Sequence, residues 1–173
     1  MMLFLDTEWA DSIDHGSQLV SLGLVGRDDR LRWYAERDPL PTKPPEFVRF
    51  AVYPLLDRGP AALADAALCA SLRAFIEHVR ESTGETPTIA CDYGMDRALF
   101  LDAWCGLHGV VQDIGPPDVH WFDLNVLNPH YDLGLEAHFA SDPDARRRRH
   151  HALVDAFAAR AGYLHAIRIQ AGR

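Results

Sequence analysis

The sequence predicts a mixed α/β domain: an antiparallel meander of three strands, then parallel strands with helices flanking the sheet. Two features of the pattern carry that expectation. Three apolar runs of strand length follow one another near the N-terminus with short polar connections. Beyond residue 60, segments with apolar residues at helical spacing alternate with short apolar runs. The length of 173 residues fits one domain spanning 1–173, and 48% hydrophobic against 24% charged residues is enough for a real core.

The elements follow in order. Met1 to Leu5 is an apolar run that breaks into Asp6-Thr7-Glu8, a buried strand with acids at its end. Residues 9–17 are polar, contain Gly16 and read as a loop. Leu19 to Val25 is the second strand, residues 27–30 a turn, and Leu31 to Ala35 the third strand. Pro39, Pro41, Pro44 and Pro45 mark a loop over 38–46, and Phe47 to Leu56 suits a short helix. Leu68, Leu72, Phe75, Ile76 and Val79 recur at helical spacing, so residues 61–81 form an amphipathic helix that Gly84 and Pro87 end. Thr88 to Cys91 is a buried strand. A helix from Asp96 to His108 follows, with Leu99, Phe100, Ala103 and Leu107 inward. Gly115-Pro116-Pro117 breaks the chain before a last strand, Val119 to Leu124. Residues 127–145 read as a long irregular polar segment of the kind that borders a site. A final helix starts near His150, and nothing is read from the tail after Gly162.

Composition excludes some functions and leaves others open. The net charge of −8 disfavours coating nucleic acid through bulk charge, but suits an enzyme that gathers carboxylates around metal ions. Sixteen of the seventeen cations are arginines, a bias that suits bidentate phosphate contacts but that base composition also produces, so it does not decide function. The expected location is the cytoplasm. Cys69, Cys91 and Cys105 form no metal-finger pattern and read as reduced thiols, and there is neither an apolar run of membrane-span length nor the apolar region of a signal peptide.

Three acidic patches are candidates for chemistry. In Asp6-Thr7-Glu8 the two acids, two apart on a strand, share a face. Carboxylates side by side repel unless a cation lies between them, and Mg²⁺ and Mn²⁺ favour such hard oxygens. The bland alternative is a solvated strand end. In Asp92-Tyr93-Gly94-Met95-Asp96, Asp96 precedes an apolar-faced helix, where it could serve only as a cap; Asp92 could be a turn acid. The third patch is His150-His151-Ala152-Leu153-Val154-Asp155. Residues five apart on a helix diverge by about 140°. His150 therefore shares a site with Asp155 only from the preceding loop, whereas His151 shares its helix face directly.

Taken together, the patches resemble the DEDDh group of 3′–5′ exonucleases. The residues carrying the resemblance are Asp6 and Glu8 in FLDTE, Asp96 in YGMDRALF, and His150 with Asp155 in HHALVDA. Residues 19–25 are similar to the strand that follows the DTE motif in that group. The motifs span residues 3–158, with HHALVDA the most specific and DTE the least. Small size and the segment from Glu46 to Pro54 resemble the stand-alone bacterial and phage exoribonucleases.

The resemblance implies a ribonuclease-H-like fold and a two-metal mechanism on the 3′ end of single-stranded nucleic acid, RNA favoured over DNA. Asp6, Glu8, Asp96 and Asp155 would hold two Mg²⁺ or Mn²⁺ ions, Glu8 would be the acid that touches both, and His150 would be the general base. Thr7 and Trp9 would contact the terminal nucleotide, with Trp9 able to stack on a base; packing at the strand end is the even alternative for Trp9. A homodimer is also implied. Asp92 stays a competitor for Asp96. His150 and His151 stay in competition too, since spacing in the family favours the first and helix geometry the second. Arg146 to Arg149 could guide a phosphate backbone or form a solvated face. Asp123, in a buried-looking strand, suits a structural hydrogen bond. A silent nucleic-acid binder on the same fold and a phosphodiesterase for small nucleotides remain as other functions.

Overall fold

The computed structural model describes residues 1–12, 16–107 and 115–172. Its centre is a six-stranded mixed sheet: β1 (Met2–Ser12), β2 (Gly16–Gly26), β3 (Arg32–Arg37), β4 (Ala62–Leu63), β5 (Thr88–Cys91) and β6 (His120–Asp123), in the order β4-β3-β2-β1-β5-β6. The first three strands form the expected antiparallel meander; β5 pairs parallel to β1, β6 parallel to β5 and β4 parallel to β3. Helices α1 (Asp65–Thr83), α2 (Gly94–Cys105), α3 (His130–Ser141), α4 (Pro143–Arg147) and α5 (Ala152–Gln170) complete the chain. The expected α/β class holds, in an arrangement consistent with a ribonuclease-H-like fold.

Strand alternation on β1 divides the interior in two. Leu3 and Leu5 point to one face and join Leu22, Leu24 and Ile89 under Leu68, Leu72, Ile76 and Val79 of α1 and Leu99, Phe100 and Ala103 of α2. Phe4 points to the other face and joins Ala90, Leu124 and Leu127 under Tyr131 of α3 and Ala159 and Ala166 of α5. The heptad-like stripe of α1 was plain in the sequence; its helix starts at Asp65 rather than 61, because Ala62 and Leu63 first pair with β3.

Two expectations, the loop over 9–17 and the irregular segment 127–145, need correction, and two other segments gain detail. Trp9 to Ser12 are not loop: β1 continues to Ser12, paired with the start of β2. Opposite Glu8 and Trp9 the register shifts, with Val20 the extra residue on β2. Beyond this bulge Ala10 and Val20 are buried against Val48 and Val52, which is what holds the hairpin extension. Residues 13–15 of the expected loop, and the expected helix end at His108, lie outside the described residues.

The segment Phe47 to Leu56 is helical in a broken form, a wide π turn at Val48–Val52 followed by a tight 3₁₀ turn at Tyr53–Leu55. Residues 127–145 are mostly helix, not irregular chain. Polar residues and a mid-segment Gly134 hid α3, because it is held by close approach to α5 rather than by a broad apolar stripe. A Cβ on Gly134 would lie 2.4 Å from His165 Cβ, and one on Gly162 would lie 2.8 Å from Tyr131. Finally, α5 runs through the tail to Gln170.

Candidate metal centre

Asp6 and Glu8 lie in the middle of β1, not at its end, and face the α5 side with Phe4. Their cross-strand neighbours are Gly23 and Ser21. Gly23 is the seat of α5: a Cβ there would fall 2.5 Å from the Ala152 carbonyl oxygen and 2.6 Å from Leu153 Cα. Only a residue without a side chain lets the first turn of α5 rest on the sheet, and that turn carries Asp155.

His150 lies in the turn before α5, with φ +76°, and not on the helix. The condition under which it could share a site with Asp155 is thereby met. Its backbone N–H donates to Asp155 Oδ2 at 3.0 Å. Ligand-capable atoms of Glu8, His150 and Asp155 all lie within 4.8 Å of one another. His151 faces elsewhere: it occupies the N-cap position of α5, fully buried, with its ring stacked 4.4 Å from that of Tyr34.

Asp96 is in the first turn of α2 and buried, but it does not cap the helix. Its Oδ1 accepts the Thr7 hydroxyl at 2.7 Å and the Thr7 backbone N–H at 3.1 Å. Thr7, expected to touch the substrate, thus directs its hydroxyl to Asp96 and ties α2 to β1. Asp92 stands close by. It follows the end of β5, near enough for its charge to act on both Asp6 and Asp96. The buried Tyr131 hydroxyl donates to Asp92 Oδ2 at 2.7 Å. Both competing acids therefore border the site, by different attachments.

The carboxylates repel and are starved of water, and their protonation records it. Asp6 is held well above the usual carboxylate range, first by burial, then by the charges of Asp155, Asp96, Glu8 and Asp92. Burial, with Asp155 and Asp96, pushes Glu8 up to about 8. Burial lifts Asp96 to about 7 against the lowering effect of the Thr7 hydrogen bonds. It lifts Asp155 to about 6 against the His150 N–H and Arg149. His150 is moved down, by burial and by Arg149, which favours its unprotonated form.

Two oxygens test whether a cation suits these residues. Asp6 Oδ2 and Asp155 Oδ1 are buried and accept no hydrogen bond. A buried carboxylate oxygen without a donor is costly. Hard, anionic and unsatisfied oxygens are the donor set that Mg²⁺ or Mn²⁺ takes, so the residues fit a divalent cation. The tight trio is Glu8, His150 and Asp155, with Asp6 and Asp96 beside it.

The acids open into a cleft of about 470 Å³ lined by Asp6, Thr7, Glu8, Trp9, Asp11, Pro45, Phe47, Val48, His150 and Asp155. Trp9 packs, stacked on Tyr93 at 5.6 Å and 11°, and it also lines the cleft. Phe47, 56% exposed, meets the His150 ring edge-on at 5.0 Å. Sequence reading missed Phe47 because nothing in its neighbourhood says which side of the fold the 47–56 segment covers.

The arginine run is largely engaged within the protein. Arg147 pairs with Asp144, Arg148 with Asp57 at 2.6 Å, and Arg149 with Glu136 at 2.8 Å while lying over the Phe139 ring. These pairs are those of a solvated, self-paired face. Asp123 has the structural role expected, accepting from Asn125 N at 2.9 Å, but it is exposed, not buried. All three cysteines are free thiols, and Cys105 is exposed. No described helix is long and apolar enough to cross a membrane.

No protein-family model matches the chain, and no curated protein matches it.

Proposed function

We propose that the protein is a metal-dependent 3′–5′ exonuclease of the DEDDh type, acting on single-stranded nucleic acid and on RNA in preference to DNA. The observation that carries this reading is the close grouping of Glu8, His150 and Asp155 at an open cleft, with Asp6 and Asp96 near enough for their charges to act on the same carboxylates. Asp6, Glu8, Asp96 and Asp155 would hold two Mg²⁺ or Mn²⁺ ions. Such ions, when bound, supply Lewis-acid polarisation of a phosphodiester and offset charge on its entering and leaving oxygens.

The chain's own groups do the rest. An imidazole nitrogen of His150 takes the proton of the attacking water as its oxygen bonds to phosphorus; the bond from phosphorus to the 3′-oxygen breaks, and that oxygen leaves with a proton from solvent. His150 suits the role because burial and Arg149 favour its unprotonated form. Thr7 holds Asp96 in register with β1. The face of Trp9 and the exposed ring of Phe47 flank the cleft and offer stacking surfaces to a terminal base, which is sequence-tolerant recognition.

The test is incubation of the protein with 5′-labelled single-stranded RNA and DNA in Mg²⁺, Mn²⁺ or chelator. Stepwise shortening of the labelled strand that chelator stops, faster for RNA, is the expected result, and Asp96→Ala abolishes it with folding nearly intact. Retained activity in Asp96→Ala with loss in Asp92→Ala reassigns the acid. Cleavage confined to mononucleotide-sized esters points instead to a small-nucleotide phosphodiesterase, and cation-independent binding without cleavage to a silent binder.

A further inference from the structure

His150 occupies a left-handed backbone conformation, φ +76°, that non-glycine residues avoid and that persists only where surroundings impose it. Arg148 and His151, which bracket it in the chain, both lie against one carboxylate. Arg148 Nη2 donates to Asp57 Oδ1 at 2.6 Å, and His151 Nε2 lies 3.5 Å from Asp57 Oδ2. The second contact is too long for a well-formed hydrogen bond and acts as proximity of charge and dipole. Within the turn, His151 N–H donates to the Arg148 carbonyl at 3.1 Å.

Asp57 is itself anchored from the interior. Its backbone N–H donates to Glu36 Oε1 at 2.6 Å. Glu36 has no exposed side chain, and it also accepts the Tyr34 hydroxyl at 2.8 Å and the Arg58 N–H at 3.0 Å. Tyr34 is the ring on which His151 stacks. A closed circuit results: Glu36 holds both Tyr34 and Asp57, and those two hold His151 and Arg148, between which His150 is presented to the acids.

From this circuit we infer that Asp57 is a positioning residue for His150. Asp57 touches neither the cleft nor the acids, and its side chain is 50% exposed, so its ion pair with Arg148 contributes little to global stability. What it fixes is where the turn lies. The inference rests on the exonuclease reading for its catalytic consequence, because a general base must sit within hydrogen-bond reach of the water it activates. Its structural content stands apart from that reading.

The experiment compares the full-length chain with Asp57→Asn, which keeps the shape and removes the charge, and with Asp65→Asn, which removes the carboxylate charge that pairs with Arg37 elsewhere in the molecule. Expected for Asp57→Asn is a roughly tenfold fall in kcat, the scale of a sub-ångström misplacement, with KM, Mn²⁺ affinity and Tm unchanged. The His150 imidazole and amide resonances shift or broaden in Asp57→Asn and stay in place in Asp65→Asn, and Asp57→Glu restores part of kcat. Unmoved His150 resonances overturn the inference, as does a kcat loss accompanied by a parallel fall in Tm or rise in KM. If the native chain degrades no nucleic acid, the exonuclease reading fails by itself, and the His150 resonances still decide the positioning role.

Discussion

Against α1 and α2 the sheet presents Leu3, Leu5, Leu22, Leu24 and Ile89, large side chains that hold two helices away from the backbone by filling the space between. Against the start of α5 it presents Asp6, Glu8 and Gly23, and the helix rests almost on the strand. The same strand, β1, feeds both faces by alternation. One face is specified by volume and the other by the absence of it. An apolar face gains stability from every methylene; the α5 face gives up that gain to bring charged groups within reach of one another. Damage to the two faces should therefore separate cleanly into loss of stability and loss of chemistry.

The sharpest separation is between Asp155→Asn and Leu72→Ala. Asp155→Asn should lower the proposed exonuclease activity by roughly 10³-fold or more, as for members of a catalytic unit that act together. It should leave the metal-free Tm unchanged or raised, since it removes one of the charges that crowd Asp6 and Glu8. Leu72→Ala, at a fully buried position on α1, should cost about 2–5 kcal/mol in denaturant unfolding and leave kcat of the folded fraction close to native. A large stability loss in Asp155→Asn would break the comparison.

Gly23→Ala tests the seat between the faces. The added Cβ meets backbone at 2.5–2.6 Å, where no flexible side chain can yield, so α5 must shift or tilt. Overpacking of that kind costs about 1–3 kcal/mol. A shift of about 1 Å in Asp155 and His150 costs on the order of 10²-fold in kcat. Circular dichroism melts and single-turnover rates measure the two effects. A rate loss much larger than the stability loss supports the view that this contact is spent on geometry.

These two faces were unequally legible in the sequence. The α1 stripe, the meander and the strand Thr88 to Cys91 follow from periodicity, because volume-filled interfaces write their period into the chain. The acids at 6, 8, 96 and 155 and the histidine at 150 were singled out by the order and spacing of motifs that resemble the DEDDh group, since each patch alone also had a bland reading. What could not be read is what close packing specifies. Gly134 and Gly162 let α3 lie on α5 and made 127–145 look irregular. The choice of His150 over His151 depends on one backbone turn, which no helical wheel contains. The extension of β1 past Glu8 depends on Val48 and Val52 arriving from forty residues away to cover Ala10 and Val20.

The smallest expected effect is on the pH dependence of metal-free stability, and it too differs between the faces. Glu8 at about 8, Asp96 at about 7 and Asp155 at about 6 all lie above the ordinary carboxylate value. Between about pH 4, where carboxylates of the unfolded chain ionise, and pH 8, the folded state binds more protons than the unfolded state. The stability contributed by these protonated acids is fully present below pH 4 and lost as pH rises through 6, 7 and 8. Thermal melts in chelator should therefore fall from pH 5 to pH 8. Added Mn²⁺ or Mg²⁺, which replaces protons with cations among the same oxygens, should raise Tm more at pH 8 than at pH 5. In Asp155→Asn both trends should flatten, whereas in Leu72→Ala they should persist on a lower baseline. A native chain whose metal-free Tm is flat or climbing from pH 5 to pH 8 would mean that the acids are not crowded and starved of water, and the α5 face would then differ from its opposite only in residue size.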